Sequence, residues 1–202
     1  MTDLFNSEPE NPEKDLLFKT SEPAKITDSL VASRKIFITG EINHTLAYNT
    51  ARQLHALSYI SDDPIFVFIS SPGGHVESGD MIYDAIKFIK PKVFTIGTGW
   101  VASAGALIYV AADKENRYSL PNTRFLLHQP SGGFHGRAED FSAYSKEISF
   151  MKERLNKIFS KATGQTIEKI KENTERDFWL SAEESVEYGL VHKAVISEHE
   201  IL

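Results

Sequence analysis

Cysteine is absent from the 202-residue sequence, which excludes disulfide bonds, thiolate nucleophiles and zinc–thiolate centres. An excess of basic residues is absent too, since the formal net charge is -6. Nucleic-acid binders usually present a net basic face that releases counterions, so we expect no nucleic-acid partner. The N-terminus carries acids and prolines where a secretory signal would have a basic start and an apolar core. These absences predict a cytoplasmic protein.

Long apolar runs are scarce as well. One uncharged stretch, residues 93–112, approaches the length of a membrane-spanning helix, which is about 20 residues. Its first half is β-branched and aromatic, and Gly97 and Gly99 interrupt its middle. We therefore predict a buried strand, a tight turn and a buried helix here, and no membrane partner.

The composition supports one domain preceded by a tail. Residues 1–25 mix Pro, Glu, Asp, Lys and Ser without apolar periodicity, so they bury too little surface to offset the entropy of ordering. The whole sequence is 41% hydrophobic, which is enough apolar content for one sizeable core in the remaining chain. We expect a flexible segment over residues 1–25 and a single domain over 26–202.

Strand and helix patterns alternate through the first part of that domain. Strand-like runs are each followed by residues with helical spacing or by a turn. An order of β, α, β, α predicts an α/β fold with parallel strands and crossover helices. The expected strands are 35–40, 65–70, 92–97, 117–120, 124–128 and 190–196, and the expected helices include 46–60 and 103–112.

A long amphipathic helix is predicted after Gly136, with its end at Gly164. Such a helix can project from the domain and pack on another subunit, so we predict oligomerisation, with an intrachain lid as the alternative. Further on, Ser181 and Glu184 form a capping box, and Gly189 is placed as a C-terminal cap. The apolar stripe consists of Phe141, Tyr144, Ile148, Met151, Leu155, Ile158 and Phe159.

Ser103 is the candidate nucleophile, since it follows a buried strand and begins an apolar helix. A serine in the first turn lies at the positive end of the helix dipole, where free N–H groups stabilise an oxyanion. The segment departs from the pattern G-x-S-x-G because Val101 occupies the first glycine position. From the residues alone, Ser103 is either a helix N-cap or a nucleophile.

The turn at residues 71–74, with the sequence SPGG, lies at the carboxyl end of a predicted parallel strand, where α/β sheets place their ligand crevices. The N–H of Gly74 is a candidate oxyanion donor, and a plain turn is the alternative. His128 ends another strand near the same edge and is the candidate general base, with a structural histidine as the alternative. His75 is a rival base, but it lacks partners at a metal-ligand spacing, so we predict no metal site.

A carboxylate is needed to hold the imidazole in the correct tautomer. Several aspartates are suitable chemically, and their spacing does not choose among them. The candidates are Asp80, Asp84, Asp113, Asp140 and Asp177.

Five short motifs follow one another in the chain between about Lys35 and Ile196: SPGG (71–74), ASAG (102–105), LPN with HQP (120–122 and 128–130), TERD (174–177) and EYGLV (187–191). In this order they resemble the proteolytic subunit of the Clp ATP-dependent protease. That resemblance implies the α/β fold shared with the crotonases, a repeated β-β-α superhelix with a projecting handle helix and strand over about 132–164. It also implies two stacked seven-membered rings around a chamber.

The resemblance also implies roles for individual residues. The nucleophile, base and acid fall on Ser103, His128 and Asp177, and the oxyanion donors on the N–H groups of Gly74 and Ala104. The peptide-binding positions, where a substrate adds as a β-strand, are Gly73, Ser131, Gly132, Gly133 and Phe134. The docking surface for the family's partner, an ATP-dependent unfoldase, falls on Phe66, Phe68, Phe88 and Tyr118.

The implied function is a serine endopeptidase that hydrolyses unfolded polypeptides delivered by an AAA+ unfoldase of the Clp type. The sequence has no G-x-x-x-x-G-K-[ST] loop, so ATP is the partner's cofactor and we expect none for this chain. Ala104 replaces the usual Met, His192 replaces a common acid, and residues 1–30 do not resemble the family's axial loops. Mixed rings with a paralogue, a catalytically silent or partner-activated ring subunit and a crotonase-type acyl-CoA enzyme remain alternatives.

Overall fold

The computed structural model describes residues 24–130 and 140–201. The chain divides between Ser33 and Arg34 into two units. Of the first unit the structure describes one helix, α1, at Ala24–Ala32. Most of the predicted tail, and residues 131–139 of the predicted handle, lie outside the described residues. The boundary at residue 25 therefore stays a prediction.

The second unit alternates strands and helices as the sequence pattern predicts. Its strands are β1 (Lys35–Thr39), β2 (Ile65–Ser71), β3 (Val93–Ala102), β4 (Arg117–Ser119), β5 (Arg124–Leu127), β6 (Phe178–Leu180) and β7 (Lys193–Ala194). Its helices are α2 (His44–Ile60), α3 (Val76–Phe88), α4 (Ala104–Tyr109), α5 (Phe141–Thr163), α6 (Ile167–Asn173) and α7 (Ala182–Tyr188). Short 3-10 turns occupy Lys114–Asn116 and Glu198–Glu200.

The strands form one sheet in the order β1-β2-β3-β4-β7, and every pair along this path is parallel. The long strand β3 serves two neighbours in succession. Its first half pairs with β4, and its last three residues, Trp100 to Ala102, pair in parallel with β5. Strand β6 then pairs with β5 in the antiparallel direction. The carboxyl ends of β3 and β5 consequently lie side by side.

The predicted turn inside residues 93–102 is wrong, because β3 continues through Gly97 and Gly99. The register between β2 and β3 shifts between Ile69 and Ser71, as at a β-bulge. Gly99 has a φ of 65°, a value that glycine adopts without strain. A Cβ on Gly97 would lie 2.9 Å from the Phe125 ring. The bulge allows the strand to run on to the residue before Ser103.

The main core lies between one face of the sheet and the helices. Residues of β2 alternate between buried and partly buried, so Val67 and Ile69 join the main core while Phe66 and Phe68 face the other way. That second face carries a smaller apolar cluster with Phe94 at its centre. The sheet therefore has apolar side chains on both faces.

Caps and glycines end the helices where the sequence predicts. Ser181 and Glu184 form the capping box of α7, and Gly189 ends that helix in the left-handed conformation. Gly164 ends α5 in the same conformation, with a φ of 81°.

Helix α4 and strand β7 are shorter than predicted, while α6 and β6 had no sequence prediction. Among residues 24–130 and 140–201, no helix combines the length and apolar character needed to cross a bilayer.

Candidate active site

Ser103 occupies the sharp turn between β3 and α4. Its φ of 54° and ψ of -120° place a non-glycine residue in a strained region of backbone space. Its N–H donates to the carbonyl of Leu126 at 3.0 Å, and its own carbonyl accepts from Ala106 at 2.9 Å. The residue occupies the N-cap position, but its side chain makes no capping hydrogen bond. The backbone holds this strained turn and leaves the Oγ for another partner.

That partner is His128, which directly follows β5. Its Nε2 lies 2.8 Å from the Oγ of Ser103. The contact follows from the parallel pairing of β3 with β5, because the residue after each strand projects from the same sheet edge. The imidazole is 31% exposed, so substrate has access to it while the surrounding chain limits its motion.

Asp177 is the carboxylate that the structure places beside the imidazole. Its Oδ1 lies 3.2 Å from the Nδ1 of His128. Asp177 directly precedes β6, and the antiparallel pairing sets Phe178 opposite Leu127, next to His128. Two rival carboxylates have other partners, since Asp80 binds Arg154 and Asp113 binds Lys87. Strand pairing thus places Asp177, and not Asp80 or Asp113, beside the imidazole.

Gln129 was not identified from the sequence, although it lies within the HQP motif. Its backbone N–H donates to the carbonyl of Thr174 at 3.1 Å, and its Nε2 donates to the Oδ1 of Asn156 at 3.1 Å. The same Nε2 also donates to the hydroxyl of Thr174. Gln129 therefore ties the segment after His128 to the segment before Asp177 and to α5. Nothing in the local pattern indicates these long-range contacts.

The SPGG turn packs directly on the backbone of residues 102–104, around Ser103. A Cβ built on Gly73 would lie 2.5 Å from the Cβ of Ser103 and 3.1 Å from the backbone nitrogen of Ala104. A Cβ on Gly74 would lie 2.3 Å from the carbonyl oxygen of Ile42. Ala104 is the first residue of α4, so its N–H has no acceptor within the helix. Of the two predicted oxyanion donors, Ala104 directly follows Ser103, and Gly74 directly follows Gly73, which packs against Ser103.

A small apolar pocket opens beside Ser103 and His128. It lies between α3, α4 and α5, and its apolar walls come from Val76, Leu107, Leu127, Pro130, Leu155 and Phe159. Leu155 and Phe159 belong to the predicted apolar stripe of α5, and both are buried. This half of the stripe therefore contributes to the wall of the site.

His75, the rival base, is engaged elsewhere. Its Nδ1 lies 2.9 Å from the Oγ of Ser78, and its Nε2 lies 3.2 Å from Glu77. These contacts hold it at the start of α3. Within the described residues, no group of three or more His, Cys, Asp or Glu side chains has a geometry that could hold a metal ion.

The predicted peptide-binding residues and the predicted docking residues differ in where they lie. Ser131, Gly132, Gly133 and Phe134 lie outside the described residues. Phe66, Phe68 and Tyr118 share the second face of the sheet with Phe37 and Phe94, two residues that the sequence reasoning missed. Phe88 is separate from this group, because it is 81% exposed on α3 and contacts His55.

We call the set Phe37, Phe66, Phe68, Phe94 and Tyr118 the aromatic face. Its rings come from four strands and form two groups, since Phe37 stacks on Phe68 with centroids 5.0 Å apart and Phe66 stacks on Phe94 with centroids 5.2 Å apart. Tyr118 continues the row from Phe94 at 6.2 Å. The alternation of side chains along β1 and β3 is the sequence signal that could have identified the two missing members.

Comparisons with known proteins agree with this geometry. The family model described as Clp protease matches residues 19–198. The ATP-dependent Clp protease proteolytic subunit 2 of Pseudomonas aeruginosa is 64% identical over 178 residues, covering 88% of this chain and 89% of that protein. The proteolytic subunit 3 of Rhizobium meliloti is 62% identical over 86% of this chain and 89% of that protein.

The solved structure of ClpP1 from Listeria monocytogenes is 50% identical, with a TM-score of 0.80, and covers 88% of this chain and 99% of that one. The predicted fold class and the predicted class of Clp-type peptidase are confirmed, and neither the crotonase-type enzyme nor the silent subunit is favoured. With its fold, its motifs and its relatives in agreement, this chain belongs to the Clp protease family.

Proposed function

We propose that Ser103, His128 and Asp177 carry out the peptidase reaction of this Clp-type protein by acyl transfer. The observation that carries the proposal is the pair of contacts that joins them, 2.8 Å from Ser103 to His128 and 3.2 Å from His128 to Asp177. A hydroxyl, an imidazole and a carboxylate in this order form the arrangement that activates a serine nucleophile.

The reaction starts when the Oγ of Ser103 attacks the carbonyl carbon of the scissile peptide bond. His128 accepts the hydroxyl proton at Nε2, and the carbonyl electron pair moves to the oxygen, which the N–H groups of Gly74 and Ala104 stabilise. His128 then gives the proton to the leaving nitrogen as the C–N bond breaks. Water repeats the sequence on the acyl-enzyme, while Asp177 keeps Nδ1 protonated and oriented.

The substrate is an unfolded polypeptide that binds in an extended conformation. Gly73 lies against the nucleophile segment and supplies main-chain contact on one side, and residues 131–134 supply the other by strand addition. Apolar side chains of α3, α4 and α5 lie beside Ser103 and His128, and the cavity between them is only about 20 Å³, the space of one water molecule. We therefore expect the substrate residue next to the scissile bond to contact an apolar wall and not to enter a deep pocket.

Assembly explains the uneven burial of α5. Leu155 and Phe159 are buried near its end, whereas Phe141 and Phe150 are 65% and 64% exposed near its start. Exposed apolar surface on a long helix is typical of a subunit interface. We infer that this half packs on another subunit in two stacked heptameric rings, either of one chain or mixed with a paralogue.

Delivery of substrate requires a partner, since a folded protein cannot enter a closed chamber. We propose that an AAA+ unfoldase of the Clp type docks on the aromatic face and on Phe88, and that it uses the ATP. An apolar, aromatic surface that the monomer leaves partly exposed is suited to such docking. A cytoplasmic location would supply this partner and its ATP.

The experiment that tests the proposed nucleophile is labelling with a fluorophosphonate probe, located by mass spectrometry. We expect a stoichiometric adduct on Ser103 that is absent in Ser103→Ala and present in Ser149→Ala, a control on the exposed part of α5. An assembled oligomer that takes no probe, alone or with an unfoldase, would contradict the assignment. Labelling only with the unfoldase would indicate a partner-activated subunit.

A further inference from the structure

Gln129 joins the two segments that carry the base and the acid of the proposed triad. It directly follows His128, and its contact residue Thr174 lies three residues before Asp177. The backbone N–H of Gln129 donates to the carbonyl of Thr174 at 3.1 Å, and its Nε2 donates to the hydroxyl of the same residue. The segment after His128 is therefore bonded at two points to the segment before Asp177.

The partners of Gln129 are buried and are themselves held in place. The N–H and the hydroxyl of Thr174 both donate to the carbonyl of Ile170, at 3.0 and 2.7 Å. Asn156 on α5 accepts a further hydrogen bond from the Nε2 of Gln129 at 3.1 Å. Hydrogen bonds between buried groups are stronger than those in water, so they resist movement. Gln129 is thus attached both to α5 and to the end of α6.

The direct contact between the base and the acid is less protected. The Nδ1 of His128 lies 3.2 Å from the Oδ1 of Asp177, and the side chain of Asp177 is 64% exposed. Contacts to exposed carboxylates contribute little, because water competes for both groups. Such a contact does not by itself hold an imidazole in the narrow range of positions from which it can accept the proton of Ser103.

The amide of Gln129 also has a feature that does not favour stability. Its Oε1 is buried and has no hydrogen-bond partner within the described residues. A buried carbonyl that loses water without gaining a donor destabilises the fold. A methionine side chain would occupy similar space without this cost. Exceptions of this kind occur at functional sites, where a side chain is needed for geometry.

We propose that Gln129 is a positioning residue for peptide hydrolysis, an inference that rests on the proposed triad. By bonding the two segments together, it sets the separation of the imidazole and the carboxylate and keeps the Nε2 of His128 directed at Ser103. Among the described residues, the side chain of Gln129 bonds to Thr174 and Asn156 and to no member of the triad. It therefore acts through geometry and not through proton transfer.

The test measures hydrolysis of a fluorogenic peptide and the rate at which a fluorophosphonate probe labels Ser103. Both are measured on assembled oligomer isolated by size-exclusion chromatography, and Tm is recorded for each variant. Gln129→Met removes the amide and keeps its bulk. We expect kcat and the labelling rate to fall about tenfold or more and KM to change less than about twofold, because a misaligned base slows attack without weakening substrate binding.

Gln165→Met is the matched control for that variant. Gln165 is also half-buried, and its Nε2 donates to the carbonyl of Tyr188 at 3.1 Å, which joins the segment after α5 to α7. The change therefore removes a comparable hydrogen bond from a contact that holds neither His128 nor Asp177. Gln165→Met should keep the wild-type kcat and the wild-type labelling rate.

Thr174→Val and Thr174→Ser provide the test if Gln129→Met does not fold. Valine lacks the hydroxyl that binds Gln129, whereas serine keeps the hydroxyl and loses a buried methyl group. The kcat of Thr174→Val should be about threefold to tenfold below that of Thr174→Ser, whichever of the two has the higher Tm, because the hydroxyl fixes the position of Gln129. A purely structural role predicts instead that kcat follows Tm.

Failure of the triad and failure of this inference give different results. A wild-type oligomer that neither takes the probe nor cleaves the peptide would contradict the triad, and with it the role of Gln129. With an active wild type, an unchanged kcat in Gln129→Met or in Thr174→Val would overturn the positioning role alone. A loss of rate that is fully explained by lost assembly or by a lower Tm would overturn it as well.

Discussion

A Cβ added to Gly73 would lie 2.5 Å from the Cβ of Ser103, so the SPGG turn packs against the backbone on either side of Ser103. Real Cβ atoms do not approach so closely, and Ala102 and Ala104 supply rigid backbone on the same side. Any side chain at residue 73 must therefore displace the strained turn that holds Ser103. This contact links the SPGG motif directly to the proposed chemistry.

Gly73→Ala should abolish labelling of Ser103 by the fluorophosphonate probe and lower peptidase activity at least about 100-fold, since small misplacements of a nucleophile have effects of this size. Gly40→Ala is the matched control, because Gly40 also has a positive φ, 76°, but nothing lies within 4 Å of its added Cβ. That control should lose about 1–2 kcal/mol of stability and keep its labelling. Normal labelling of Gly73→Ala would contradict the predicted contact.

Asp177→Asn should lower kcat by about 10³–10⁴-fold while leaving the fold intact, because the imidazole loses the group that fixes its tautomer. The measurement is hydrolysis of a fluorogenic peptide with an apolar residue before the scissile bond. Asp62→Asn, which changes an exposed carboxylate paired with Lys90, serves as the control and should keep wild-type activity. Full activity in Asp177→Asn would show that a different carboxylate, or none, orients the imidazole of His128.

The ion pair of Arg154 with Asp80 joins α5 to α3 and should stabilise the fold. The guanidinium binds the carboxylate through two N–H groups, one of them at 2.7 Å, and the Asp80 side chain is 18% exposed. A double-mutant cycle by urea unfolding should give a coupling of about 1–3 kcal/mol, since the pair is bidentate and partly buried.

The exposed pair of Lys90 with Asp62 provides the comparison for that cycle. Its side chains are 77% and 60% exposed, and such pairs contribute about 0–1 kcal/mol. Arg154→Lys should lose most of the coupling, because an ammonium group cannot reproduce the planar two-point contact. Equal coupling energies for the two pairs would show that the pair of Arg154 with Asp80 adds no special stability to the packing of α5 on α3.

The capping box of α7 should make stability depend on pH. Hydrogen bonds from the backbone N–H and side chain of Ser181 lower the pKa of Glu184 below its ordinary value. The unfolded chain then binds more protons than the folded one over this range, so the contribution is present above the unfolded pKa and is lost as the pH falls.

We therefore expect wild type to unfold at higher urea than Glu184→Gln at neutral pH, with the difference shrinking between about pH 5 and pH 3. Glu183→Gln is the control, since that neighbouring carboxylate is not part of the capping box. A difference that stays constant across this range would indicate that the carboxylate charge has no role.

The aromatic face should be needed for unfoldase-dependent degradation and dispensable for peptide hydrolysis. Phe68→Ser removes a ring stacked on Phe37 and should lower degradation of a folded protein about tenfold or more, as the loss of a hot-spot aromatic does. Small peptides, which need no unfoldase, should be cleaved at the wild-type rate. Tyr59→Ser, at a 92% exposed position on α2, should change neither rate.

The sequence by itself determined the alternation of strands and helices, the long helix ending at Gly164 and the capping box, because each depends on periodicity or on neighbours within a few residues. Its ordered motifs also determined the family. Local patterns misplaced the end of β3, since the bulge that continues it depends on pairing with β2. They did not predict α6 or β6 at all.

Only the tertiary structure decided which groups meet. Asp177 lies 49 residues after His128, and the two come together because β6 pairs with β5. The contacts of Gln129 with Asn156 and the stacking of Phe37 on Phe68 have the same origin. Contacts between distant segments depend on strand register and packing, which no window of the sequence contains.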